Sequence, residues 1–438
     1  MPRLRLRETV ARLAAFARSD FARHSLIVFA ATMLVNALGY AFHFAISRRI
    51  GVVQYGVLSA LNAGYMISLT FATILATVVV KYAAEYRAES DALAKLHTFV
   101  RRLTAFGAAA SAVVIGAGLL ALRPIASFLR VDDLRAVALT VFIIGLTLSS
   151  LPMRAVFQGV EDFPTFAWLT SLESLIKAAV GITLVYLGYG VTGAFAGWAV
   201  GSVLSLIVTV IVLFGRYHGR QRAALRIDVR RLAHTMANVS AATLLLTVIG
   251  YFDVLIVKHY ADPTTAGLYG ALSLSGKILL FFVAFVPMIV LPKASRLALA
   301  GRSPLPVFLQ ALGLTAAISA AGLLVYGFAP GLIVTTLAGA SFASAAPYVL
   351  PYGIAMVLLA ALNVVVIYKI GIHRFDFIVP LAVVAVGEIA GISLRHRTLS
   401  SVIVVLIVGN AVALAASLFR VNDFVRVRAV VQPSADAA

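Results

Sequence analysis

Cysteine is absent from the 438 residues, which excludes disulfides, thiolate metal sites and cysteine nucleophiles. Charge is scarce as well: 12% of residues are charged and 62% are hydrophobic, where ordinary soluble domains carry about 25% charge. Carboxylates are fewest of all, 17 against 36 Lys+Arg, for a net charge of +19. In a membrane protein such an excess normally sits in cytoplasmic loops facing anionic lipid, so it calls for no acidic ligand. No G-x-x-x-x-G-K-[ST] run occurs, so ATP is not the direct energy source, and no H-E-x-x-H cluster or serine elbow in a strand–helix setting is present. Nothing in the chain calls for a cofactor or a resident metal.

What remains is apolar sequence in long runs. Twelve of them reach the roughly 20 residues that a helical span requires: 26–46, 57–80, 104–122, 136–157, 166–187, 193–214, 236–257, 266–287, 305–328, 346–367, 377–394 and 400–419. The expected fold is therefore an all-α integral membrane protein. Residues 328–346, interrupted by Pro330, Gly331 and Gly339, read as a loop or a re-entrant segment. Six arginines precede the first run, and Arg48 and Arg49 follow it with no small-residue cleavage site between. It reads as a retained first helix, not a signal peptide. Arginines alternating with Leu4, Leu6, Val10, Leu13 and Phe16 fit either a helix on the inner surface or a basic tail.

The organising stretch is 215–235, GRYHGRQRAALRIDVRRLAHT, with six arginines and one aspartate. A loop this basic resists transfer across a bilayer and pins both flanking halves to one side. A nucleic-acid patch is the competing reading, but no soluble domain flanks it. The expected organisation is a basic segment 1–25, a six-helix bundle 26–214, the connector 215–235, a second bundle 236–419 and a tail 420–438. With the N-terminus inside, 25 Lys+Arg fall on the inner side and 8 on the outer, which places both termini in the cytoplasm. The outer loops are all too short for an extracytoplasmic domain.

The halves also echo each other. YGVLSAL from Tyr55 recurs as YGALSLS from Tyr269, at an offset of 214. Phe42, His43, Ile46 and Arg48 match Phe252, Asp253, Ile256 and Lys258 at 210, and Gly159 and Phe163 match Gly371 and Phe375 at 212. Three matches at nearly one offset predict a tandem repeat of six helices, parallel in the membrane because six is even.

Ionisable groups inside apolar helices cost about 2.5–3.5 kcal/mol each at mid-membrane, so each asks for a reason. Glu173 and Lys177 stand at i and i+4, where they can neutralise each other as a structural pair or line a cavity. Arg154 lies where it can snorkel to headgroups, or face a cavity opened by Pro152. Lys277 is too deep to snorkel and is the best single cation for an anionic ligand, unless it pairs across helices. Asp253 and its repeat partner His43 can take up a proton or a sodium ion, or merely meet water in the outer interface. Glu388 is deeper and unpaired within its own helix, and can couple an ion or meet a lysine of the other half. Arg48 is a lipid anchor or a gating contact, while Asn62, Tyr65 and Asn363 can donate to sugars or to a neighbouring helix.

RRIGVVQYGVLSAL, FQGVEDFPTF, YFDVLIVKHY, AGLYGALSLSGKI, LAGASFASAAPYVLP and YKIGIHRFDF together resemble the bacterial and archaeal polysaccharide-biosynthesis flippases. These are the O-antigen or Wzx-type oligosaccharide-lipid transporters, in the same superfamily as multidrug-and-toxin exporters and lipid II flippases. The resemblance covers about residues 25–420. It implies two six-helix bundles in a V-shaped, alternating-access transporter of the cytoplasmic membrane, and no enzyme activity. It implies a polyprenyl-diphosphate-linked glycan as substrate, with Lys277 or Arg154 attracting the diphosphate. Membrane lipids, an H+ or Na+ coupling ion and other polysaccharide-assembly membrane proteins are the partners it suggests. An ion-coupled exporter of the multidrug-and-toxin type is the alternative. A facilitator-type exporter is disfavoured because KYAAEYRAESDALAKLHTFVRR lacks that family's loop motif, and a glycan polymerase because no long outer loop exists.

Overall fold

In the computed structural model, which describes residues 20–218, 223–225 and 229–421, nine helices are long and apolar enough to cross a membrane. The basic N-terminal segment, much of the connector and most of the tail lie outside the described residues. The helices are α1 (Asp20–Arg87), α2 (Ala92–Leu120), α3 (Leu122–Phe128), α4 (Leu134–Gly159), α5 (Phe163–Leu184), α6 (Gly190–Arg216) and α7 (Val229–Tyr260). Then follow α8 (Pro263–Val283), α9 (Phe285–Leu299), α10 (Leu305–Phe328), α11 (Pro330–Leu337), α12 (Val349–Gly371), α13 (Ile378–Leu394) and α14 (Leu399–Leu418).

Nine apolar helices and twelve expected spans are reconciled by two kinks and one short helix. Leu26–Arg87 holds 62 residues, about 93 Å if straight, or some three hydrocarbon thicknesses. It is two helices merged across Gly51, whose φ of 75° is open to glycine and costly to other residues. Phe163–Arg216 is likewise two passes, α5 and α6, joined through a π-helical turn at Val185–Tyr189 with Gly188 at φ 98°. The short member is α13, with 17 residues. The expected loops after residues 46 and 187 are thus sharp bends in continuous backbone. Residues 328–346 are not a simple loop either: α11 is followed by a 3-10 helix, Ala340–Tyr348, whose Phe342 is fully buried.

Helix starts are written in the sequence. Asp133, Asp162, Asp262 and Thr398 cap α4, α5, α8 and α14, each accepting a backbone N–H of the first turn, and proline occupies the first turn of α5 and α8. Hydrogen bonds from the Thr265 side chain and the first-turn amides hold the Asp262 carboxyl below the usual carboxylate range.

Two compact units emerge. Unit 1 comprises Met1–Arg49, Ser68–Ser127 and Val131–Asp228, and unit 2 comprises Ile50–Ile67, Phe128–Arg130 and Val229–Ala438. This division departs from a cut at the connector alone, since the short segments 50–67 and 128–130 pack with unit 2.

In unit 1, α6 presents Gly193, Gly197, Gly201 and Ser205 at four-residue intervals, and α5 lies directly on this stripe. A β-carbon at Gly197 would overlap the Gly181 backbone, one at Gly201 would come 2.9 Å from the Glu173 carbonyl, and the Ser205 hydroxyl donates to the Leu169 carbonyl at 3.2 Å. Lipid offers helices no hydrophobic drive to associate, so close backbone approach and hydroxyl bonds supply the attraction. In unit 2 the same device joins the second part of α1 to α8: a β-carbon at Gly56 would sit 2.9 Å from the Gly267 nitrogen. Under it, Tyr55 packs edge-on against Phe342 at 5.3 Å.

The tandem repeat is visible in local geometry. After α4 the Asp162 amide donates to Phe157 at 2.7 Å and Glu161 has φ 60°; after α12 the Arg374 amide donates to Lys369 at 2.9 Å and His373 has φ 56°. Both are left-handed helix ends, 212 residues apart. The glycine that opens each turn seats on an equivalent helix, Gly159 against Val80 and Ala83 of α1, Gly371 against Leu291 and Ala294 of α9.

Candidate charged sites of the two helical units

Four helices of unit 1 bring their polar groups together. Arg154 on α4 is only 4% exposed, and its guanidinium meets the Glu173 carboxylate of α5 at 2.6 Å. It also donates to the carbonyl and hydroxyl oxygens of Ser150, at 3.3 Å each, while Ser202 of α6 donates to the other Glu173 oxygen at 2.9 Å. Two expectations are corrected here. Arg154 does not snorkel to the headgroups, because a carboxylate inside the unit meets it first. Glu173 takes Arg154 of a neighbouring helix as its ion-pair partner, not Lys177 one turn away.

Lys177 rests instead on aromatic faces, 3.3 Å from the Trp198 ring centre and 4.9 Å from that of Phe42, and it has no hydrogen bond or ion pair among the described residues. Such a cation–π seat holds an ammonium without neutralising it. His43, next along α1, meets the Phe42 ring edge-on at 5.8 Å. With Arg154 and Glu173 offsetting each other, Lys177 is the uncompensated charge of this cluster.

Unit 2 separates its charges differently. Asp253 of α7 is 3% exposed and accepts the hydroxyls of Tyr269 at 2.6 Å and Tyr352 at 3.1 Å through one carboxylate oxygen. It does not lie in a wet interface, as one of its two readings had it. Its other oxygen, and Oε1 of Glu388 on α13, are buried with no hydrogen-bond partner among the described residues. Asp253 and Glu388 line one small cavity, together with Val248, Phe252 and Ile256, with room for about one water or ion. Glu388 therefore faces a second carboxylate of its own unit, not a lysine of the other half. Lys277 lies 3.9 Å from the Tyr251 ring centre and, like Lys177, has no ion pair or hydrogen bond among the described residues.

The remaining candidates are scattered. The Asn363 amide donates to Leu359 of its own helix at 2.9 Å. Asn62 is half-buried and Tyr65 buried on the part of α1 that packs in unit 2. Arg48 turns back on its own helix, donating to the Phe44 carbonyl at 2.8 Å with its guanidinium over the Phe44 ring.

Sequence reasoning missed Ser202, Trp198, Tyr269 and Tyr352 as the groups that seat these charges. One signal was available for Tyr269, which opens the repeated YGALSLS motif. The expected span 346–367 also stops short of Lys369, whose side chain is fully buried and holds both oxygens of Asp376, at 3.2 and 3.1 Å, and the Phe419 carbonyl at 2.7 Å.

Comparison with known proteins fixes the lineage. Stage V sporulation protein B of Bacillus subtilis (strain 168) is 25% identical over 205 residues, 45% of this chain but only 39% of that protein's length. Among solved structures, an inward-facing multidrug resistance MATE family transporter of the MOP superfamily aligns with a TM-score of 0.71 at 12% identity, covering 90% of this chain and 98% of that one. The lipid II flippase MurJ in an inward closed conformation aligns with a TM-score of 0.64 at 15% identity, over 91% and 88% of the two chains. These likenesses establish an all-α integral membrane transporter fold. The polysaccharide biosynthesis protein model matches residues 21–297, more than half of the sequence, and the chain belongs to that family.

Proposed function

We propose that the protein is a flippase that moves a polyprenyl-diphosphate-linked oligosaccharide from the inner to the outer leaflet of the cytoplasmic membrane by alternating access, for export of a surface polysaccharide of the O-antigen type. The observation that carries this reading is the pair of ammonium groups inside apolar helices, Lys177 and Lys277, seated on aromatic rings without an ion-paired carboxylate. A diphosphate supplies the negative charge they lack, and membership of a polysaccharide-biosynthesis family supports a glycan on it. The polyprenyl tail stays in lipid throughout.

In this reading Lys177 and Lys277 each offer their own unit's cation to the diphosphate, and the Arg154–Glu173 pair positions the helices around Lys177. Asn62, Tyr65 and the Asn363 carbonyl address sugar hydroxyls, and Arg48 lies at the bend between the first two spans. Asp253 and Glu388, with His43 in the other unit, are the groups for a coupling H+ or Na+, because two buried carboxylate oxygens facing one small cavity favour a shared cation. The bundles 26–214 and 236–419 form the two repeats, with both termini cytoplasmic and no bond-making chemistry. Membrane lipids and other polysaccharide-assembly membrane proteins are the partners.

A second reading, an ion-coupled exporter of drugs or metabolites of the multidrug-and-toxin type, draws on the same Asp253–Glu388 pair as the seat of its coupling ion. Deleting the gene in its host and measuring lipid-linked glycans on each face of the cytoplasmic membrane by mass spectrometry separates the two. A diphosphate-linked oligosaccharide accumulating on the inner leaflet is the expected result. An unchanged glycan pool with new sensitivity to cationic drugs overturns the flippase reading in favour of the exporter.

A further inference from the structure

The two carboxylates at the small cavity of unit 2 have counterparts in unit 1. Asp253 follows His43 by 210 residues and Glu388 follows Lys177 by 211, close to the 212 that separates the matching left-handed turns. Their surroundings recur with them. Phe252 lines the cavity beside Asp253, and Phe42, 210 residues earlier, faces the Lys177 ammonium at 4.9 Å. Trp198 of α6 lies under Lys177 at 3.3 Å, and Gly409 of α14, 211 residues later, lies under Glu388, where a β-carbon would overlap the carboxylate. An aromatic face is negative, so it draws a cation and repels an anion. The indole is therefore suited to the basic version of the site and the bare glycine to the acidic one.

Three helices thus build one site twice, α1, α5 and α6 in unit 1 and α7, α13 and α14 in unit 2, with the charge reversed. Opposite charges call for opposite ligands. In unit 2 the buried Asp253 and Glu388 oxygens that lack partners among the described residues suit a cation. In unit 1 the carboxylate one turn before Lys177 is already committed, since Glu173 gives one oxygen to Arg154 and the other to Ser202. Lys177 keeps its charge, and that charge reaches the His43 ring. An ammonium beside an imidazole, with the local carboxylate spent elsewhere, suits the oxygens of a phosphate.

We propose that His43 and Lys177 form a phosphate site, the repeat-related counterpart of the cation site at Asp253 and Glu388. The source of that phosphate rests on the flippase reading, as the diphosphate of the lipid-linked glycan. What the repeat adds is a division of labour, in which one position of the fold serves an anion in unit 1 and a cation in unit 2. His43, the group of unit 1 that can carry a coupling proton, does so as a phosphate contact, because its ring offers an N–H donor in either protonation state.

The test uses the full-length protein with Trp168→Phe, an exposed position outside the site, which leaves Trp198 under Lys177 as the sole tryptophan. An anion that draws the ammonium off the indole changes its emission. Inorganic pyrophosphate is expected to give a saturable change that potassium chloride of equal ionic strength does not. Lys177→Gln is expected to abolish the response, and His43→Phe to weaken binding by about 10- to 100-fold, the usual effect of losing a hydrogen bond to a charged group. His43→Gln keeps an N–H donor and is expected to keep most of the affinity, which separates a lost phosphate contact from a lost fold. Asp253→Asn with Glu388→Gln is expected to leave the response unchanged. Undecaprenyl diphosphate in phosphatidylcholine nanodiscs is expected to reproduce the change, and phosphatidylglycerol is not. Binding of pyrophosphate without undecaprenyl diphosphate supports the phosphate site with free phosphate as its ligand, and it is then the flippase reading that falls. No saturable change, an unchanged response in Lys177→Gln or His43→Phe, or an equal response to phosphatidylglycerol overturns the proposal.

Discussion

Replacing Glu173 alone should be among the most damaging single changes in unit 1, and the structure specifies which second change repairs it. In Glu173→Leu the Arg154 guanidinium, 4% exposed, loses the carboxylate at 2.6 Å, and the Ser202 hydroxyl loses its acceptor. Breaking a buried ion pair from one side costs about 3–5 kcal/mol, because a desolvated charge is left without a partner. For a unit of this size about 1 kcal/mol corresponds to 2–4 °C, so the melting temperature should fall by roughly 6–20 °C. Both tryptophans of the chain, Trp168 and Trp198, lie in unit 1, so intrinsic fluorescence during a thermal ramp reports on that unit. The double variant Glu173→Leu with Arg154→Met removes both charges and should return to within about 1–2 kcal/mol of the wild type. Glu173→Leu with Lys177→Met should melt as low as the single variant, since Arg154 is still stranded. Recovery in the Lys177 double variant and none in the Arg154 one would refute the assignment of the pair.

Other consequences are simpler to check. Lys277→Ala should abolish glycan export while leaving the protein in the membrane, measured as surface polysaccharide against protein abundance; normal surface glycan removes Lys277 from the substrate path. Gly197→Ala forces a methyl group into the Gly181 backbone and should destabilise unit 1 by about 1–3 kcal/mol, read by the same fluorescence ramp. Asp262→Asn should keep the α8 cap but flatten the response to acid. The folded carboxyl titrates below its usual range, so its stabilisation is present above about pH 4 and lost as pH falls further. Parallel melting curves for variant and wild type from pH 6 down to 3 would contradict that.

The helical segments were legible because a span is a length of apolar residues, and length and composition are read directly. Bends were less so: Gly51 looks like any loop glycine until its backbone angle is known, and helix begins again directly on either side of it with no loop between. The repeat was legible in short matches such as Gly159 with Gly371, since both must be glycine for the same packing reason. The charged sites were legible as residues but not as partners. An i,i+4 rule sees only one helix, and on it Lys177 was the natural mate of Glu173; the guanidinium that wins comes from α4, where Pro152 and Arg154 are fully packed. The burial of Asp253 was illegible for the same reason, since the tyrosines that bury it arrive from positions 16 and 99 residues further along.

The bend at Gly51 also bears on how the chain enters a membrane. No atom beyond its neighbours lies within 4 Å of where a β-carbon would stand, so glycine is required there by backbone angle and not by packing. A turn set by local angle needs no later helix to form it. The bend between the first two apolar segments can therefore form as they leave the ribosome, before the segments they finally pack against have been synthesised.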